Sequence, residues 1–151
     1  MRSPFARRPK AEAVSVELLA SGTTTTRTDF VWIADWEMQC CGQPFVIGEC
    51  VDWPASELTD PSWYADLGFG QAPSWIYSAH TDDENRLFGT VEEIQAVFCR
   101  FRVRRRTATM ISGTGILEPR TRAEGNEPHD EWGGPKSWIG YLVRLNTELG
   151  E

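Results

Sequence analysis

The sequence predicts an all-β domain with one short helix, built as a small curved sheet or a partly open β-barrel. Three observations carry that expectation. Apolar and polar residues alternate with period two in several short segments, these segments are rich in β-branched and aromatic residues, and Gly and Pro punctuate the chain without regular strand–helix alternation. The 151 residues suit one domain. At that length folding buries roughly 70% of the unfolded surface, enough for a core without metal or disulfide. Seven Trp supply large rings for a β core or a binding surface.

Residues 1–28 read as a flexible leader. MRSPFARRPK is basic, but its Arg7–Arg8 pair is followed by a stretch carrying Glu12 and Glu17 that is too short and polar for an export segment. AVSVELL (13–19) alternates as a short strand would, and SGTTTTRT (21–28) has no apolar anchor and reads as a linker. The β-rich domain is expected over residues 29–147, with 148–151 as a tail. FVWIADWE (30–37) reads as a strand, with Phe30, Trp32, Ala34 and Trp36 on one face and Val31, Ile33, Asp35 and Glu37 on the other. MQCCGQP turns the chain, and FVIGECVDW (45–53) is a strand bent at Gly48.

Asp60 and Pro61 form a helix start, with Trp63, Tyr64 and Leu67 as its apolar face and Gly68 as its stop. SWIYSAH (74–80) is a strand and TDDENR (81–86) a loop. LFGTVEEIQAVFCRFRV (87–103) is the longest β signal, bent at Gly89 or at Glu92–Glu93. From Val97 onward, Val97, Cys99, Phe101 and Val103 take one face while Arg100, Arg102 and Arg104 take the other. ATMISGTGILEP (108–119) is a strand on either side of SGTG or one strand bent there. A polar loop over 119–137 leads to SWIGYLVRLN (137–146), whose Ile139, Tyr141, Val143 and Leu145 should face inward.

Several of these segments together resemble a family of small actinobacterial proteins of unknown function. The signature W-x-x-D-W-x-x-x-C-C-G-x-P-F falls on Trp32 to Phe45, followed by Gly48 and the V-x-W of Val51 to Trp53. G-T-V-x-x-I-x-A-V-x-C-R falls on Gly89 to Arg100, a GTG-like turn on Ser112 to Gly115, and G-Y-L-V-x-L on Gly140 to Leu145. The resemblance spans about residues 30–146 and implies a bacterial origin but no activity.

The formal net charge of −7 opposes general nucleic-acid coating, because phosphate binding needs a basic field. No apolar run is long enough for a bilayer, and the expected compartment is the cytoplasm. There the four cysteines, Cys40, Cys41, Cys50 and Cys99, should be reduced. Cys40, Cys41, Cys99 and His80 would make a zinc set if the chain brought them together, with Cys50 as a further donor; no CxxC or HxxxH spacing supports it. Otherwise no cofactor is expected, and Cys99 fills a core position as a small apolar group. A cysteine-dependent enzyme would use Cys40 or Cys41 with a base, yet His80 and His129 both border acidic loops. Arg100, Arg102, Arg104 and Arg106 form a row that would meet phosphates or pair with carboxylates on neighbouring strands; the acidic composition favours pairing.

No catalytic constellation assembles from these motifs, so the sequence favours a non-catalytic binding or interaction module over an enzyme. A protein or small-ligand partner is expected before nucleic acid, and no membrane partner is expected. The rivals are the zinc-stabilised domain, the anion or single-strand binder and the cysteine enzyme.

Overall fold

A computed structural model describes residues 25–79, 85–128, 130 and 133–148. Arg27–Thr147 form one compact unit. Its elements run β1 (Thr26–Ala34), α1 (Asp35–Cys40), β2 (Phe45–Val46), β3 (Cys50–Glu57), α2 (Ser62–Asp66), β4 (Trp75–Tyr77), β5 (Arg86–Cys99), β6 (Phe101–Arg104), β7 (Thr107–Met110), β8 (Ile116–Arg120), β9 (Arg122–Ala123) and β10 (Ser137–Glu148). The expected strand over 13–19 lies outside the described residues. β1 takes in Thr26 to Thr28, which the sequence assigns to a linker.

The main sheet runs β10-β1-β4-β3-β5-β8, and a further pairing of β10 with β5 closes its first five strands into a barrel. The β1–β4 pair is parallel. The pairs β3–β4, β3–β5, β10–β5 and β5–β8 are antiparallel. β8 is therefore an extra strand outside the ring. β2 pairs with β9, and β6 with β7 as a separate hairpin. The predicted all-β class is what forms, with the ring closed and two short helices where the sequence suggests one.

Two apolar clusters explain the strand sequences. One fills the barrel and includes Val31, Ile33, Phe45, Val91, Ile94, Ala96, Phe98, Tyr141, Val143 and Leu145. The other lies outside the barrel wall and joins Trp32, Val97, Cys99, Ile139 and Leu142 to Tyr64 and Leu67. The second half of β5 is thus buried on both faces, which is why Ala96–Cys99 reads as a continuous apolar run. Burying each large side chain contributes about 1.5–3 kcal/mol.

Of the residues expected to share one core, Val97, Cys99, Ile139, Tyr141 and Val143 are buried but divide between these clusters, while Phe101 is only partly buried, packed against the outer one. Ile139 does not face the barrel interior. Trp138 pairs with Phe98 and Gly140 with Val97, so Ile139 is an extra residue that bulges to the outer cluster. A second irregularity leaves Glu92 unmatched between Val91 and Glu93, where the acidic pair predicts a bend.

The expected strand over 30–37 ends at Ala34, whose extended backbone leads into α1. Asp35, Trp36 and Glu37 are helical, so the predicted alternation stops before them. α2 starts at Ser62 with Pro61 in the N-cap position, one residue later than the sequence suggests; Asp60, just outside the helix, accepts the Ser62 N–H at 3.1 Å. Gly68, at φ +101°, ends the segment. SGTG separates two strands, β7 and β8.

Buried Asp29 fastens three barrel strands at one end. Its carboxylate accepts from Arg27 Nε at 2.8 Å, from Trp75 Nε1 of β4 at 3.2 Å, and from the Thr147 hydroxyl of β10. Burial pushes its pKa up. The hydrogen bonds from Arg27, Thr147 and Trp75, with the charge of Arg27, outweigh that and hold it below the ordinary value of 3.8. A depressed folded pKa stabilises the fold above the unfolded pKa and loses that contribution as pH falls through the folded value. Asp29→Asn should therefore lower stability at neutral pH, and the difference from wild type should shrink below about pH 4. Urea midpoints measured between pH 7 and 3 check this.

At the opposite edge of β10, a Cβ on Gly140 would stand 2.3 Å from the Ile33 carbonyl oxygen and 2.7 Å from the Trp32 ring. Gly140→Ala should destabilise by at least ~1–3 kcal/mol, read as a lower urea midpoint at unchanged slope.

Candidate functional site

Barrel closure sets four indoles around one cleft of about 250 Å³, lined by Trp32, Ala34, Asp35, Trp36, Trp63, Phe101, Met110, Trp138 and Ile139. β1 delivers Trp32, whose ring lies across Gly140. Trp63 of α2 stands edge-on to it, with centroids 5.1 Å apart and planes at 65°. Trp138 opens β10 and is fixed by donating its indole N–H to the Gly140 carbonyl at 2.9 Å. The bulge turns Ile139 to the same side. Trp36, on α1, is 55% exposed, while Glu37 and Met38 of that helix are buried. Phe101 and Met110 are a cross-strand pair at the root of the β6–β7 hairpin.

The cleft is aromatic and apolar, with Asp35 as the only charged lining residue among the described residues. Such a surface stacks flat rings. The expectation that Asp35 and Glu37 share a strand face fails, because the chain is helical there: Asp35 lines the cleft and Glu37 is 3% exposed. Tyr64 packs edge-on against Trp63 behind the cleft, its hydroxyl buried without a hydrogen-bond partner, and burial pushes its pKa up strongly. The abundance of Trp signals rings of this kind, but no spacing in the sequence gathers Trp63, Phe101, Met110 and Trp138 with Trp32.

The β6–β7 hairpin carries the predicted arginines. Phe101 and Val103 lie opposite Met110 and Ala108, while Arg102 and Arg104 lie opposite Thr109 and Thr107. The hairpin therefore has one apolar and one basic face. Arg100 falls between β5 and β6, and its N–H donates to Thr114 Oγ1 at 3.0 Å. Arg106 is not in a strand: Arg105 and Arg106 form the two-residue turn, with φ at +49° and +72°. Period two passes over Arg105. The left-handed conformation costs about 1–2 kcal/mol per ordinary residue, and Asn-Gly is the usual solution.

The carboxylate ladder expected for this row is not formed. Among the described residues, the side chains of Arg100, Arg102, Arg104, Arg105 and Arg106 are exposed and have no acidic partner. The other described cations all have one, as in Arg27–Asp29, Arg86–Asp52, Arg122–Glu124 and Lys136–Glu118. Arg120 pairs with Glu118 and Glu127, and Arg144 with Glu92 and Glu93.

The cysteines arrange differently from the expected reduced set. Cys40 and Cys41 are joined in a disulfide, because the chain leaves α1 in a turn at Cys41 and the two side chains no longer alternate. Cys99 is buried in the outer cluster, and burial pushes its thiol pKa up to about 11. Cys50 is a free thiol at the surface. His80 and His129 lie outside the described residues. Among the described residues no three His, Cys, Asp or Glu side chains converge as a metal centre requires. No helix among them is long and apolar enough to cross a membrane.

A sequence model for a family of unknown function (DUF6578) matches residues 27–147. No curated protein and no solved structure matches the chain.

Thiol titration should follow the cysteine arrangement. The untreated protein should release one fast-reacting thiol, from Cys50, and a second on unfolding, from Cys99. Two more should appear only after reduction of Cys40–Cys41. Four reactive thiols in unreduced, unfolded protein would contradict the bridge.

Proposed function

We propose, for a chain that belongs to this family of unknown function, that residues 27–147 form a non-catalytic binding module whose ligand site is the tryptophan-walled cleft. The observation that carries the reading is the convergence of Trp32, Trp36, Trp63 and Trp138 from β1, α1, α2 and β10. Burial alone does not require Trp36 to be there, since the residue is more than half exposed. A large ring held at the mouth of an aromatic cleft offers a stacking face to a partner. The ligand this surface suits is a flat ring, free or carried on a larger molecule. Among the described residues the lining places no nucleophile beside a base and no set of convergent titrating groups, which favours binding over turnover.

Neutral adenosine is a direct probe, because it presents a flat ring without phosphate charge. It should quench the indole fluorescence saturably, and Trp36→Ala should weaken that binding roughly 5–150-fold, the range of one lost base–aromatic stack. Absence of saturable quenching at millimolar adenosine, or unchanged affinity in Trp36→Ala, would remove the cleft as a ring-binding site.

A further inference from the structure

We infer that the β6–β7 hairpin is an arm that binds the phosphate backbone of single-stranded nucleic acid. The first ground is charge. Five guanidinium groups crowd within seven residues, exposed and without carboxylates, on a chain whose formal net charge is −7 with these five included. Carboxylates are abundant, and each described cation elsewhere has found one. Arg102 and Arg104 stand roughly 6–7 Å apart on one exposed strand face, so an anion bound between them would meet both charges at once and offset the repulsion that water and salt only screen. Arginine forks suit phosphate oxygens, which they meet through two parallel hydrogen bonds.

The second ground is backbone. Arg105 and Arg106 occupy the two positive-φ positions of a turn that Asn and Gly would fill without strain. Among the described residues no hydrogen bond or ion pair uses their side chains, so there the turn holds a conformational penalty with no polar contact in return.

The choice of a single strand over a duplex follows from the neighbouring surface. The other hairpin face exposes Val103 and Met110, at 47% and 37%, and leads at Phe101 and Met110 into the tryptophan cleft. Unpaired bases can stack on such a surface, whereas a duplex hides its base faces. A duplex would also bring many uncompensated phosphates against the acidic remainder of the protein, while a thin strand can follow the arm alone. The base contacts rest on the cleft reading above; the phosphate contacts rest on the arginines.

Fluorescence anisotropy with a labelled oligothymidylate of about 15 nucleotides tests the arm on the full chain. Binding is expected at low salt. Four phosphate contacts would lower the association constant roughly 50-fold between 50 and 200 mM salt. Arg105→Asn/Arg106→Gly relaxes the turn, so its melting temperature should hold or rise while its salt slope becomes shallower by about 1.4, two phosphates' worth. Arg102→Gln/Arg104→Gln should do the same to the slope. Both variants should keep wild-type adenosine quenching, which separates the arm from the cleft: oligonucleotide binding without adenosine binding would retain the arm and remove the cleft. No binding of the oligonucleotide at low salt, equal binding of a blunt duplex or of heparin, or an unchanged salt slope in both variants would overturn the proposal.

Discussion

β10 carries the constraint on which the rest of the structure depends: it must pair with β1 on one side and β5 on the other. A closed ring of only five strands is tightly curved, and side chains at the seam have little room. Gly140 is where that shortage is met, because the Ile33 carbonyl and the Trp32 ring occupy the space of a Cβ. The bulge beside it follows from the same curvature. It rotates Ile139 out of the barrel, and the Trp138 indole folds back onto the Gly140 carbonyl. Three of the cleft's walls, Trp32, Trp138 and Ile139, are therefore consequences of closure. Lower down, Tyr141 ties the seam to the following loop, accepting the Gly125 N–H and donating to Glu127, which pairs with Arg120.

Period-two alternation made the strands legible, and Gly–Pro punctuation made their ends legible. What alternation cannot reveal is a barrel wall covered from both sides. Val97 and Cys99 alternate correctly against Ala96 and Phe98, yet both sets are buried, one against α2 and one inside the ring. The one-residue slip at Ile139 is likewise invisible, since Ile139, Tyr141 and Val143 fit a single face on paper. α1 escaped for another reason: Trp, Ile and Ala read as strand, and the burial of Glu37 and Met38 against the barrel overrode that local preference. The Cys–Cys–Gly turn was legible as a turn, but reduced thiols were expected where the side chains meet.

Charge shows a similar division. The arginine spacing can be read from the sequence, but whether a row is compensated depends on which strands flank it. β6 and β7 pair only with each other. Among the described residues no further strand pairs with the hairpin to bring carboxylates beside the row, so the acidic composition of the chain as a whole was a poor guide to it. Glu92 and Glu93, by contrast, sit where β10 brings Arg144 to them.

The cleft so built has walls of unequal stiffness. Trp32 and Trp138 stand on barrel strands, and Trp63 is braced by Trp32 and Tyr64. Trp36 stands on a helix of six residues, too short to be stable by its own hydrogen bonds. What adds to its local end bonds, from the Cys41 and Gly42 N–H groups to the Glu37 carbonyl, is tertiary packing: Met38 belongs to the core cluster and lies close to Gly125. The Cys40–Cys41 bridge closes a small covalent ring at that same end. The position of Trp36 thus depends on the chain between Met38 and Gly42, outside the hydrogen-bonded barrel. The closure that fixes Trp32 and Trp138 therefore does not by itself fix Trp36, which stands on a short helix beside the barrel and not on a strand of it.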